Sequence, residues 1–237
     1  RGAAVSGSLL RSGLDTLGIR PAAAGLLERY LAELDRWNAK FGFVKATPDE
    51  LVVKHVLDSI AGAVTIAELC AEGGAGGGGV LDVGSGAGFP GIPLAVALPG
   101  VRFTLLERSS RKCAFLENCR ALLGLANVTV LAADLSAAMG AYDVITFRAV
   151  APLDRFLADL ARSKVAWRSI AAYKGRRDRI DEELAALGTA AVAAEVVRLA
   201  VPFEDEERHL VVLRSSEHGA PAGSGSASNL DNTGVGG

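Results

Sequence analysis

The run V-L-D-V-G-S-G-A-G-F-P-G-I-P, from Val80 to Pro93, constrains this chain more than any other. Its opening apolar residues read as a buried strand. Glycines at 84, 86 and 88 then break the run, and the apolar residues from Ile92 to Leu98 read as a helix. A strand that turns through glycines into a helix is a nucleotide-binding corner of an α/β sheet. Glycine adopts φ > 0 at no steric cost and lets a ligand approach the backbone with no Cβ between them.

The rest of the chain supplies such a sheet. Strand-like runs fall at Arg102–Leu106, Val128–Leu131, Tyr142–Phe147, Ser169–Tyr173, Ala190–Leu199 and His209–Arg214. Helix-like runs at Arg111–Leu123, Leu153–Ala161 and Arg179–Leu187 alternate with them. Strands alternating with helices imply a mostly parallel sheet covered on both faces. The last two strands have only a polar link, Pro202 to Arg208, so they are expected to pair antiparallel at one edge. Before the corner, Leu26, Leu27, Tyr30, Leu31, Leu34 and Trp37 recur at helical spacing, and Pro48-Asp49-Glu50 marks a helix start that runs on to about Cys70. Residues 1 to about 20 read as a loose entry followed by a short helix.

Three regions follow: a helical cap (1–71), a Rossmann-like α/β domain (72–214) that opens with a flexible glycine link (72–79), and a Gly/Ser-rich tail (215–237) expected to be disordered. Half the residues are hydrophobic, enough for a sizeable core. Cys70, Cys113 and Cys119 lack metal-ligand or disulfide spacing and read as small buried thiols. No run is long and apolar enough for a membrane span, and no signal peptide is evident, so a cytoplasmic protein with neither membrane nor metal partner is expected.

Two ligands compete for the corner. Gly86, Gly88 and Gly91 match the G-x-G-x-x-G spacing of dinucleotide sites, with Pro90 falling inside the motif. Gly84, Gly86 and Gly88, after a strand ending in Asp82, instead form a G-x-G-x-G loop that resembles the S-adenosylmethionine site of class I methyltransferases. That cofactor has no pyrophosphate but has an amino-acid end, and an acid near the loop suits its ammonium and sulfonium. Glu107 closes the next strand 19 residues after Gly88 and can accept from ribose hydroxyls of either cofactor. Arg148, at the end of the fourth strand, reads either as a surface charge or as a ligand contact.

Several segments in this order resemble one family: W-N (37–38), H-V-L-D-S-I (55–60), D-V-G-S-G-A-G-F-P-G-I-P-L (82–94), F-T-L-L-E (103–107), R-K-C-A-F-L (111–116), F-R-A (147–149), Y-K-G (173–175) and E-R-H-L-V-V (207–212). They resemble the bacterial small-subunit ribosomal RNA methyltransferase G family, also called glucose-inhibited division protein B, over roughly residues 22–214. The resemblance implies a class I methyltransferase fold with a mostly parallel seven-stranded sheet. It implies S-adenosylmethionine-dependent methylation of N7 of one guanine in 16S rRNA of the small ribosomal subunit or its precursor. Carried over by position, the cofactor contacts are Gly84, Phe89, Leu135, Ser136 and Arg148, with Glu107 on the ribose; Asp82, Gly86 and Gly88 complete the loop.

N7 of guanine carries a lone pair and no proton, so no general base is needed and none is evident in the sequence. No catalytic residue is therefore named; Arg148, Lys174, Arg208 and His209 are candidate substrate contacts. Between Leu160 and Ile180 stand seven basic side chains against one acid, Asp178, an excess of six on a chain of net charge −2. That stretch, with Lys174, Arg176 and Arg177 at its centre and Arg111 and Lys112 as its extension, is the candidate RNA-binding surface; a solvated charged face is the alternative. Tyr173 and Trp167 could stack on a base, but core roles suit both better. A methyltransferase acting on a small molecule or protein, an NAD-binding oxidoreductase and a non-catalytic RNA-binding module are the competing functions.

Overall fold

The computed structural model describes residues 2–74, 77–188 and 192–215. Its strands are β1 (Val80–Val83), β2 (Phe103–Glu107), β3 (Val128–Ala132), β4 (Met139–Arg148), β5 (Lys164–Lys174), β6 (Val192–Arg198) and β7 (His209–Ser215). They form one sheet in the order β3-β2-β1-β4-β5-β7-β6. The first five run parallel, and β7 is antiparallel to both β5 and β6. The final pair is antiparallel as expected, with β7 threaded inside and β6 on the outside. Residues 190–191 of the expected sixth strand, and 216–237 of the expected tail, lie outside the described residues.

Alternation across the pleat divides the core in two. Val80, Phe103 and Leu105 join one apolar cluster, while Leu81, Val83, Leu106 and Phe147 join the other. Helices α8 (Leu153–Ala161) and α9 (Arg177–Ala186) cover the second face through Phe156, Leu160 and Ile180. Helices α6 (Gly91–Ala97) and α7 (Ser110–Leu123) cover the first, together with the N-terminal helices. Strands buried on both faces carry near-continuous apolar runs, which is why β1 was so readable.

The N-terminal helices are α1 (Gly2–Thr16), α2 (Ala22–Phe41), a short α3 (Pro48–Glu50), α4 (Asp58–Ala61) and α5 (Ala63–Glu72), with a π-helical stretch, Leu51–Leu57, between α3 and α4. The loose entry and short helix expected over residues 1–20 are corrected in extent: one helix, α1, already runs from Gly2 to Thr16. Its glycines hid it. A Cβ on Gly13 would lie 2.3 Å from Leu57 Cδ1, so glycine there allows close helix packing, and Leu10 and Leu14 are buried in the shared core. Pro48 starts the next helix as expected, capped reciprocally by Thr47 and Glu50.

The glycine link is also more than a flexible spacer where it is described. A Cβ on Gly78 would lie 2.0 Å from the Ala141 carbonyl oxygen, and one on Gly77 would lie 2.3 Å from Asp143 Oδ2. The Gly79 N–H donates to Asp143 Oδ2 at 2.8 Å. Residues 77–79 are therefore glycines because the chain passes against the entry of β4.

Candidate active site

Strand order reverses about β1, which pairs with both β2 and β4. Open α/β sheets bind ligands at such a point, outside the carboxyl ends of the strands. A cleft of about 830 Å³ lies there, lined on one side by Gly84, Ser85, Gly86, Ala87 and Phe89. Its other walls bring Lys54, His55 and Asp58, Arg148, Lys174 and Arg208 from distant parts of the chain.

The loop is built from beneath. Gly84, Gly86 and Gly88 have φ of 69°, 59° and 98°. The Gly84 and Ser85 N–H groups both donate to the Leu106 carbonyl, and the Gly86 N–H donates to Glu107 Oε2 at 3.0 Å. Glu107 Oε1 accepts from the Ser109 N–H at 2.8 Å. A carboxylate has about four acceptor sites, so these two bonds orient Glu107 and leave capacity for hydroxyl donors. A Cβ on Gly86 would meet only the Gly84 carbonyl oxygen, at 3.7 Å. The space above that glycine is therefore open, and the cradle fits a cofactor that lies close to the backbone.

Asp82 is fully buried under the loop and is not part of the cleft lining. Its Oδ2 accepts from the Gly91 N–H at 3.1 Å, its Oδ1 has no hydrogen-bond partner among the described residues, and burial pushes its pKa up to about 7. The structure thus gives Asp82 the task of holding the start of α6. The same bond bears on register. Gly91, the third glycine of the dinucleotide spacing, turns its N–H inward to Asp82, whereas Gly84 and Gly86 face the cleft.

Arg148 is the hub of the opposite wall. Its Nη1 donates to Asp58 Oδ2 and to the Lys54 carbonyl, both at 3.0 Å, and its Nη2 lies 2.6 Å from His55 Nδ1. Its guanidinium sits 5.2 Å from the centre of the Phe89 ring. The π-helical turn presents these partners on one side: the Asp58 N–H reaches back to Val53, skipping the Lys54 carbonyl. Asp58 is buried and also lies 3.5 Å from Arg208 Nε, and Arg208 is held by Glu204 and Glu206. Burial raises the Asp58 pKa, opposed by Arg148.

His55 is pushed down to about 4, first by burial and then by the positive Arg148. The histidine is therefore neutral at neutral pH and accepts from the guanidinium. Because its folded pKa lies below the ordinary 6.5, the stability linked to it is present above pH 6.5 and is lost as pH falls toward 4. His55→Gln, which keeps an acceptor for Arg148, is expected to flatten that acid limb in denaturant unfolding measured from about pH 7 to about pH 4. An unchanged slope would mean that His55 carries a proton in the folded protein.

The remaining sequence candidates divide. Lys174 lines the cleft, but its Nζ donates to Glu183 Oε2 at 2.7 Å and to the Ala151 carbonyl, bracing the β4–α8 turn against α9. His209 is buried, with Nδ1 2.7 Å from the Gly175 carbonyl, and is not part of the lining. Tyr173 is buried with its hydroxyl donating to the Ser59 carbonyl, a core role. Leu135 and Ser136 form a short 3-10 turn at the end of β3, where the Ser136 N–H and hydroxyl both point back to Asp134 Oδ1 at 3.2 Å.

The basic stretch is corrected in its charge. Arg162 pairs with Asp159, Lys174 with Glu183, Arg176 with Asp178, Arg177 with Asp181 and Arg179 with Glu182. Arg168 stands 3.9 Å from Asp143. The excess of six is largely neutralised by acids of α8 and α9 just outside the counted window. Sequence reasoning missed Asp58 as the link between two arginines, since its partners Arg148 and Arg208 lie far along the chain. Among the described residues no cluster of His, Cys, Asp or Glu could hold a metal, and no helix is long and apolar enough to cross a membrane.

Residues 24–211 match the family model described as rRNA small subunit methyltransferase G. The chain is 38% identical over 220 residues to the ribosomal RNA small subunit methyltransferase G of Burkholderia thailandensis, covering 89% of this chain and 92% of that one. It is 39% identical over 223 residues to its counterpart in Burkholderia pseudomallei strain 668, covering 89% and 91%. In fold it is similar to the magnesium protoporphyrin IX methyltransferase of Synechocystis with bound SAM, at a TM-score of 0.51 and 20% identity, covering 89% of this chain and 97% of that one. The METTL16 methyltransferase domain gives a TM-score of 0.51 at 14% identity, covering 82% and 80%.

Proposed function

Because the chain belongs to the rRNA small subunit methyltransferase G family, we propose that it transfers a methyl group to N7 of one guanine in 16S rRNA. It is an S-adenosylmethionine-dependent methyltransferase of the class I fold. S-adenosylmethionine supplies an activated sulfonium methyl with a neutral leaving group. The protein then has two tasks: to hold the donor and to present the guanine in line.

The donor side is the Gly84–Phe89 loop. Open backbone at Gly86 admits the amino-acid end, and Glu107, already oriented by two backbone N–H groups, offers acceptors to the ribose hydroxyls. Asp134, Leu135 and Ser136, at the end of β3, form the adenine side. The acceptor side is the wall around Arg148, whose guanidinium rests over the Phe89 ring at the edge of the loop.

One observation carries the N7 reading: the imidazole in the cleft, His55, is held neutral and spends its Nδ1 on Arg148. It is not set up to strip a proton from the nucleophile. N7 has a free lone pair and no proton to strip. The reading also carries a bacterial cytoplasmic location, where the small ribosomal subunit is found.

Labelled-methyl transfer tests it. With 30S subunits that lack the mark, label is expected in a single 7-methylguanosine of 16S rRNA, identified by nucleoside mass spectrometry, and none is expected on subunits already modified. Label in another nucleoside, or none in RNA, would overturn the proposal.

A further inference from the structure

We infer that the ribosomal RNA backbone docks on the cap-side rim of the cleft, where α2 meets α7, and not on the arginine-rich α9 face. The inference rests on the ribosomal RNA reading above.

Phosphate binding requires cations that are free to exchange small counterions for phosphates. On α9 the arginines are committed to carboxylates on the same helix at i,i+3 and i,i+4 spacing. A phosphate approaching there meets Asp181 and Glu182 together with Arg177 and Arg179. The rim differs. Lys40, Lys45, Arg108, Arg111 and Lys112 have no acid within ion-pair distance among the described residues, and all but the half-buried Lys112 are exposed. Lys45 and Lys112 line the same cleft as the glycine loop, so the rim continues into the site.

The rim is also built to stay in place. The Phe41 ring lies 5.2 Å from Lys40 Nζ and 4.9 Å from the Arg111 guanidinium carbon, tying the end of α2 to the start of α7. Phe41 stacks on Phe43 at 5.7 Å. Asn38 clamps the connecting loop by donating to the Val44 carbonyl at 2.7 Å and accepting from the Val44 N–H at 2.8 Å. Lys45 therefore projects from a fixed loop. Fixed cations with no acid partner, bordering an aromatic surface, suit an RNA strand.

The test is equilibrium binding of the full chain to unmethylated 30S subunits across a salt series, with methyl transfer measured in parallel. The triple variant Lys40→Gln/Lys45→Gln/Arg111→Gln is expected to bind at least about tenfold more weakly near 0.1 M salt. Its slope of log K against log [salt] should be shallower by about 2, at roughly 0.7 for each phosphate that is no longer neutralised. The charge-conserving triple Lys40→Arg/Lys45→Arg/Arg111→Lys should bind like wild type, which separates charge from folding. Arg162→Gln/Arg179→Gln should stay within about twofold of wild type. If wild type methylates the subunits but the neutral rim triple binds equally well, the rim is overturned and the function stands. A larger loss in the α9-side pair than in the rim triple overturns it too. If wild type itself neither binds nor methylates, the ribosomal RNA reading fails first.

Discussion

Arg148→Ala is expected to lower stability by about 3–5 kcal/mol, because it removes one partner of a buried ion pair and leaves the other behind. Among the described residues Asp58 then keeps only the Arg208 cation, whose Nε lies 3.5 Å away without hydrogen-bond geometry. At this chain length each kcal/mol moves the melting temperature by about 2–4 °C, so a fall of roughly 6–20 °C is expected. The pH dependence identifies the cause. Burial already raises the Asp58 pKa from its ordinary value, and without the guanidinium its folded pKa rises further. An acid raised in the folded state supports stability at low pH and loses that support as pH rises. The deficit of the variant should therefore be smaller at about pH 5 than at about pH 8. Adding Asp58→Ala should restore part of the loss. Equal deficits at both pH values, with no rescue by the second substitution, would show that the orphaned charge is not the source. Arg148→Lys should fall between, since it keeps a charge but cannot serve Asp58, the Lys54 carbonyl and His55 at once.

The parts of this wall were visible in the sequence; their assembly was not. Arg148, Arg208 and the segment containing Asp58 all fall within motifs, but no local spacing connects them. The π-helical turn that offers Lys54, His55 and Asp58 to Arg148 was equally hidden, because its apolar residues look like those of an ordinary helix. The charge of the α9 region is a different case. Arg177 with Asp181 and Arg179 with Glu182 stand at helical pair spacing, so this neutralisation is legible in the sequence once the acids that follow Ile180 are counted with the arginines that precede it. Strands β1 and β2 were legible because burial on both faces demands continuous apolar runs. Strands β4 and β5 were legible only over their more buried second halves, Tyr142–Phe147 and Ser169–Tyr173, because their openings from Met139 and Lys164 are largely exposed and carry no such run. Helix α1 was obscured because glycine signals a break locally, while here it marks close packing against Leu57.

The glycines of the corner should separate by experiment into two kinds. Gly86→Val is expected to abolish detectable S-adenosylhomocysteine binding in calorimetry. The position has φ of 59°, which a β-branched residue resists, and the added carbons would enter the open space above the backbone. Little protein stands in their way, so the loss of stability should be the smaller effect. Gly91→Ala should behave in reverse. Its φ is not in the left-handed region, but its Cβ would lie 2.3 Å from Leu105 Cδ2 and 2.5 Å from Asp82 Oδ2, both in fully buried residues. Overpacking of this kind costs about 1–3 kcal/mol, and moving Asp82 also loosens the Gly91 N–H bond at the start of α6. The melting temperature should therefore drop first, with cofactor affinity falling as a consequence of the displaced loop. If Gly91→Ala proved neutral for stability while Gly86→Val still bound S-adenosylhomocysteine normally, the roles assigned to the two glycines, and with them the S-adenosylmethionine register of the loop, would be wrong.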